Sequence, residues 1–191
     1  MRRVGVVGLA LCALVVASPG RAAALQLAEF RGHLAVGYGH LFLEDAPGGS
    51  LSVAGGVDYP LTKTLRLGVD VGYHLLGSRT VQEGSLLADV DYSLFETTAL
   101  VHWTPSWPGP VGRISAGAGL FNAQASLATS GGGASFTKFA VEETVPGFAV
   151  SATLLSRKPS ALKLGLEVGG RIALVEDESW STAIARVAVH Y

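Results

Sequence analysis

The stretch "LRLGVDVGYHL", residues 65–75, carries a large apolar side chain at every second position: Leu65, Leu67, Val69, Val71, Tyr73 and Leu75. Arg66, Gly68, Asp70, Gly72 and His74 fill the alternate places. Successive side chains of a strand point to opposite faces, so this spacing predicts a strand with one oily and one polar face. The same pattern recurs in "FRGHLAVGYGHLF" (30–42), "LSVAGGVDY" (51–59), "LLADVDYSLFETTALVHW" (86–103), "GRISAGAGLF" (112–121), "GFAVSATLL" (147–155), "LKLGLEVGGRIAL" (162–174) and "STAIARVAVHY" (181–191). Together these make eight candidate strands. In 86–103 the apolar row changes parity after Leu94, which predicts a bulge there.

Before the strands, "MRRVGVVGLALCALVVASPGRAAALQ" has a basic start at Arg2 and Arg3 and an apolar run from Val4 to Ala17. A helix breaker, "SPG", and a small-residue site at Ala22 and Ala24 follow. This is the layout of a cleaved signal peptide over residues 1–24, too short in its apolar part for a membrane-spanning helix of about 20 residues. Cys12 lies inside that run, so the mature chain has no cysteine and no thiolate chemistry. Without Arg2, Arg3 and Arg21, the 14 basic residues fall to 11 against 15 acidic ones, a net of −4. Nothing in that balance points to nucleic acid as a partner.

The connections alternate in kind. "PLTK", "TPSWPGP" and "SRKPS" are short and marked by proline. "EDAPGGS", "GSRTVQEGS", the stretch 123–146 and "EDES" are polar or glycine-rich, and two of them are long. "ATSGGGAS" (128–135) reads as part of a surface loop within 123–145 rather than as a linker between domains. Short turns on one rim and longer loops on the other, joining an even number of strands of about ten residues, is the layout of an outer-membrane barrel. We therefore expect residues 25–191 to form one domain: an all-β, eight-stranded, antiparallel, up-and-down transmembrane β-barrel.

A soluble barrel would coat its outside with charge, yet charged residues are only 15% of this chain and apolar ones 49%. Arg or Lys in hydrocarbon costs about 2–4 kcal/mol near the midplane. The charged row therefore belongs inside, and parity assigns to the lumen Glu29, Asp58, Arg66, Asp70, Glu96, Arg113, Lys163, Glu167, Arg171 and Arg186. Phe30, Tyr59, Trp103 and Tyr191 fall near one set of strand ends, and Phe42, Tyr73, Tyr92 and Phe148 towards the other. Two such belts suit two membrane interfaces.

The chain resembles the small eight-stranded outer-membrane barrels of Gram-negative bacteria, the OmpA/OmpX/OmpW-like superfamily. The likeness rests on the signal peptide, the eight alternating segments and the closing "RVAVHY". It implies that Val187, Val189 and Tyr191 form a C-terminal signal read by the barrel-assembly machinery, although most members end in Phe. It also implies a place in the bacterial outer membrane, with lipid and lipopolysaccharide as surroundings, and a structural or surface-interaction role. A narrow channel for small solutes, as in OmpW-like barrels, is the alternative; a lipid A-modifying hydrolase is the second.

A hydrolase needs a Ser–His–acid group near the outer rim. His74 with Ser78 and Glu83 is conceivable, but an interior hydrogen-bonding role for His74 is the simpler reading. No His-x-x-His pair or cysteine cluster marks a metal site. "EDES" (176–179) is acidic and "GGG" (131–133) lacks the lysine and helix of a phosphate loop. We expect no cofactor, no metal and no catalytic residue, and the sequence names no surface ligand.

Overall fold

The computed structural model describes residues 29–42, 49–83, 86–106, 111–131, 134–135, 139–155, 162–176 and 179–191. The expected signal peptide, with Ala22 and Ala24, lies outside the described residues. The strands are β1 (Arg31–Phe42), β2 (Gly49–Pro60), β3 (Leu65–Glu83), β4 (Leu86–Trp103), β5 (Val111–Gly131), the two-residue β6 (Ala134–Ser135), β7 (Phe139–Leu155), β8 (Lys163–Ala173) and β9 (Trp180–His190). Their order is β4-β3-β2-β1-β9-β8-β7-β5, and β5 pairs back with β4, so eight long antiparallel strands close a cylinder. β6 only extends the edge of β5. The seam between first and last strands is closed by paired bonds: Gly32 N–H donates to Tyr191 O and Tyr191 N–H to Gly32 O, both at 3.0 Å.

One short turn shows how a rim is made. Thr62 Oγ1 accepts from the amides of Thr64 and Leu65, at 3.2 and 3.0 Å, and the amides of Leu61 and Thr62 donate to Leu65 O. Such local side-chain bonds satisfy turn amides that have no ladder partner.

Alternation sorts the wall as a closed sheet requires. Leu34, Val36, Val57, Val69, Val71, Val150, Leu164, Leu166, Val168 and Val187 are between 44% and 61% exposed on the outer face. Their neighbours in sequence point into the cylinder. Glycine on the inner row makes room there: a Cβ at Gly72 would come within 2.7 Å of Glu96 Oε1.

Three expectations are corrected. First, the supposed loops 77–85 and 123–146 are largely strand: β3 and β4 run as a hairpin to Glu83 and Leu86, while β5 and β7 pair up to Leu127–Phe139. With β2 beginning at Gly49 and β8 ending at Ala173, these four strands stand above the other four as a projecting half-wall. Second, β4 has no bulge at Leu94; its pairing with β5 is unbroken from Leu86 to Trp103. The irregularity is in β3, between Leu75 and Ser78, where Gly77 takes the positive φ of 94° that a glycine tolerates best. The parity change in β4 arises because its inward row turns apolar at Leu94 and above. Third, Tyr92 belongs to that inward row and packs edge-on against Trp180, with ring centroids 5.8 Å apart, instead of joining an outer belt.

Candidate functional site

The chemistry-bearing side chains converge in the lumen, on inward positions of all eight long strands. Two kinds of layer fill it. Near the long-loop rim, Leu41, Leu76, Leu94, Phe121, Ala123, Val145 and Ala173 form an apolar cluster, none more than 4% exposed. Tyr92, Val175 and Trp180 pack against it. Six of the eight long strands contribute, so the cluster is a lid across the bore, not a patch on one wall.

Beneath the lid the lumen turns ionic. Arg171 on β8 donates through Nε to Glu96 Oε2 on β4 at 2.7 Å, and through Nη1 to the carbonyl of Gly170 at 3.1 Å. Glu96 Oε1 also lies 3.3 Å from His74 Nε2, and His74 Nδ1 is 2.8 Å from Ser52 Oγ. Arg186 Nη2 donates to Glu167 Oε1 at 2.9 Å, and His33 Nε2 lies 3.2 Å from Asp70 Oδ2. Towards the short-turn rim, Asp58 pairs with Arg66 and accepts from Arg113 Nη1 at 3.4 Å, while His102 bonds Ser115 Oγ at 2.8 Å. Four carboxylates (Asp58, Asp70, Glu96, Glu167) thus stand with four guanidinium groups (Arg66, Arg113, Arg171, Arg186) in one enclosed space. The balance matters, because a buried charge persists only when paired.

Two of the sequence-assigned lumen charges lie elsewhere. Lys163 is on the inward row but at the short-turn end of β8, opposite His190, and is exposed. Glu29 precedes β1 and is exposed at the same rim, where its carbonyl accepts from Arg66 at 3.1 Å. Parity fixes the face of a residue and not its depth, so strand-end residues escape the enclosed zone. Val187 and Tyr191 are exposed on the outer face, 53% and 58% respectively, and Val189 beside them is half-buried.

The grouping His74–Ser78–Glu83 does not form. Ser78 is exposed opposite Asp91, across the bulge from His74, and the side chain of Glu83 lies outside the described part. His74 instead joins Ser52 and Glu96 in a Ser–His–Glu line, the order of a hydrolytic triad. All three are 0% exposed beneath the lid. A nucleophile needs a reacting carbonyl within about 3 Å, and this serine faces only packed lumen. Among the described residues, no group of three or more His, Cys, Asp or Glu side chains is placed to hold a metal ion. The residues of "EDES" at 177 and 178 lie outside the described part. Sequence reasoning missed His33, Ser52, His102 and Ser115 as members of the lumen network; their inward parity was the available signal.

No protein-family model and no curated protein sequence matches the chain. Among solved structures it is similar to Ail, the attachment invasion locus protein of Yersinia pestis, in complex with the heparin analogue sucrose octasulfate. The TM-score is 0.55 at 12% identity, over 85% of this chain and 99% of Ail. It is also similar to Neisserial surface protein A, with a TM-score of 0.56 at 16% identity, over 85% of this chain and 96% of that one. At such identities the likeness is one of fold: the fold of the small eight-stranded outer-membrane β-barrels.

Proposed function

We propose that this chain is a non-enzymatic protein of the bacterial outer membrane, a sealed barrel that serves as a structural element and presents a projecting half-wall for surface contact. The observation that carries the sealed reading is the apolar lid. Six strands meet in apolar side chains over the Glu96–Arg171 and Glu167–Arg186 ion pairs, whose remaining polar atoms, Glu167 Oε2 and Arg186 Nη1 among them, have no partner among the described residues. A solute or hydrated ion would have to displace packed Phe121 and Leu94 and then break the Glu96–Arg171 pair. Among the described residues, this packing counts against the narrow-channel reading.

The membrane reading is supported by the outer face. From Leu65 to Leu75 the outward row of β3 is apolar; at about 3.3 Å per residue and a tilt near 40°, that stretch covers a band about 25 Å tall. Above the band the outer face becomes polar: Thr80 donates to Asp89 at 2.6 Å, and Asn122 donates to Glu142 and Thr144. That polar zone suits lipopolysaccharide headgroups and solvent. Ail binds a sulfated ligand in its crystal. Here the described part of the half-wall carries Asp89, Asp91, Glu142 and Glu143 against Arg79, so a polyanion is not the partner we assign to it.

Planar-bilayer recording of the refolded mature chain tests the sealed reading. The expected trace is flat, and reproducible discrete openings would overturn it.

A further inference from the structure

The outer wall is not uniformly covered. One register level runs across four strands as Phe42 on β1, Ser181 on β9, Ile172 on β8 and Phe148 on β7. The level beneath it includes Ala183 on β9 and Gly170 on β8. Small residues thus lie between two aromatic walls. With strands about 4.8 Å apart, Phe42 and Phe148 stand about 14 Å from each other. The floor of Gly170, Ala183 and Ser181 leaves a cavity of about 290 Å³. Its surface is almost wholly apolar, and it opens onto the lipid-facing side of the wall.

Gly170 is the informative residue. The outward row of β8 otherwise reads Leu164, Leu166, Val168 and Ile172, each 43% exposed or more. Glycine weakens a strand unless something must approach it closely. Within the protein nothing does: a Cβ at Gly170 would meet only Thr182 O, at 3.6 Å, an ordinary contact. Most other glycines of the barrel would press a Cβ against a neighbouring strand or side chain. The gap in the row is therefore room for a group outside the chain.

We propose that this groove seats an acyl chain of a lipid in the outer leaflet. The inference rests on the membrane reading above. The occupant follows from the groove's surroundings: it is continuous with the hydrocarbon-facing band, lies towards the long-loop end, and its one charged lining residue, Arg171, turns its guanidinium inward to Glu96 and away from any headgroup. In hydrocarbon there is no hydrophobic drive to fill it, so the gain is dispersion. A chain lying against the wall touches protein on one side, whereas a chain seated over Gly170 and Ala183 touches that floor and the side chains standing beside it, Ile172 and Val150 among them.

The test uses the full mature chain in nanodiscs of dimyristoylphosphatidylcholine, doped with phosphatidylcholine carrying a nitroxide at mid-chain. Paramagnetic relaxation is read at the methyl groups of Ala183 and Ile172, and at those of Ala99 and Val71 on the opposite wall. Relaxation at the groove should be about twofold stronger than at the opposite wall, because the chain is held against several surfaces. Gly170→Leu should bring Ile172 down to the level of Ala99, and Ala183→Leu, which fills the floor from the other strand, should do the same. Equal relaxation on both walls of the unmodified chain, or a difference that survives both substitutions, would overturn the proposal while leaving the membrane reading intact. Methyl contacts between two copies across this face would also overturn it, by naming a protein occupant. If no outward methyl senses the label, the membrane reading fails and the groove proposal falls with it.

Discussion

Arg171 and Glu96 are 75 residues apart and sit on strands that are not neighbours, yet they meet across the bore at 2.7 Å. β8 and β4 are separated by β7 and β5, so this pair ties opposite parts of the wall together. Removing one partner leaves a buried, uncompensated charge. Glu96→Gln or Arg171→Met alone should each cost about 3–5 kcal/mol. The double variant should be less destabilised than the sum of the two. Urea unfolding in lipid vesicles, followed by tryptophan fluorescence, reads all three; additive losses would mean that the pair contributes no coupling.

The lid supports a second prediction. Phe121 is fully buried among Leu41, Leu76 and Leu94. Phe121→Ala should lower stability by about 3–5 kcal/mol, through lost contacts and a residual cavity. Phe42 is 58% exposed on the outer face, and Phe42→Ala should change stability far less. The comparison checks that the apolar interior is a packed lid and not an extension of the outer band.

The Ser52–His74–Glu96 line supports a third. Ser52→Ala should leave the mass spectrum of lipid A from expressing cells unchanged from that with the unmodified chain, because the hydroxyl is sealed. Its cost should be structural: His74 Nδ1 loses a partner, worth about 1–3 kcal/mol when buried. Lipid A that is altered by the unmodified chain, and restored by Ser52→Ala, would instead reveal a hydrolase.

At the seam, the ring of Tyr191 lies where a side chain at Gly32 would be; a Cβ there would fall 2.5 Å from Tyr191 Cζ. Gly32→Val should therefore displace the terminal ring even though residue 32 is far from the C-terminus in sequence. If the assembly machinery reads Val187, Val189 and Tyr191, as we propose, both Gly32→Val and Tyr191→Ala should lower the folded, heat-modifiable fraction recovered from membranes. Tyr191→Phe should preserve it. A wild-type yield from Tyr191→Ala would remove that role.

Much of this was legible from alternation alone. Val69 and Asp70, or Leu166 and Glu167, differ by one position and fall on opposite faces, because a strand has no other option. The top of the lumen was not legible. Leu94 and Tyr92 are apolar, and an apolar row was read as outward, whereas here it packs inward as a lid and the expected bulge is not needed. The half-wall was missed because 77–85 and 123–135 are rich in Gly, Ser, Thr, Ala and Gln, residues with weak strand signals; pairing with neighbouring strands supplies the order that local preference does not. The Glu96–Arg171 pair could not be read either, since parity gives a side and only the closed register gives a partner.

The arrangement of oily residues outside and ions within is the premise of all these predictions. The one cysteine of the sequence is Cys12, so in a chain that starts at Leu25 single nitroxides can be placed at Val69, Val71, Leu166 and Val168 and the protein reconstituted in vesicles. Power-saturation spectroscopy with oxygen, which partitions into hydrocarbon, and a nickel chelate, which stays in water, measures what surrounds each one. The account predicts strong relaxation by oxygen and little by nickel at all four sites; stronger relaxation by nickel than by oxygen would contradict it.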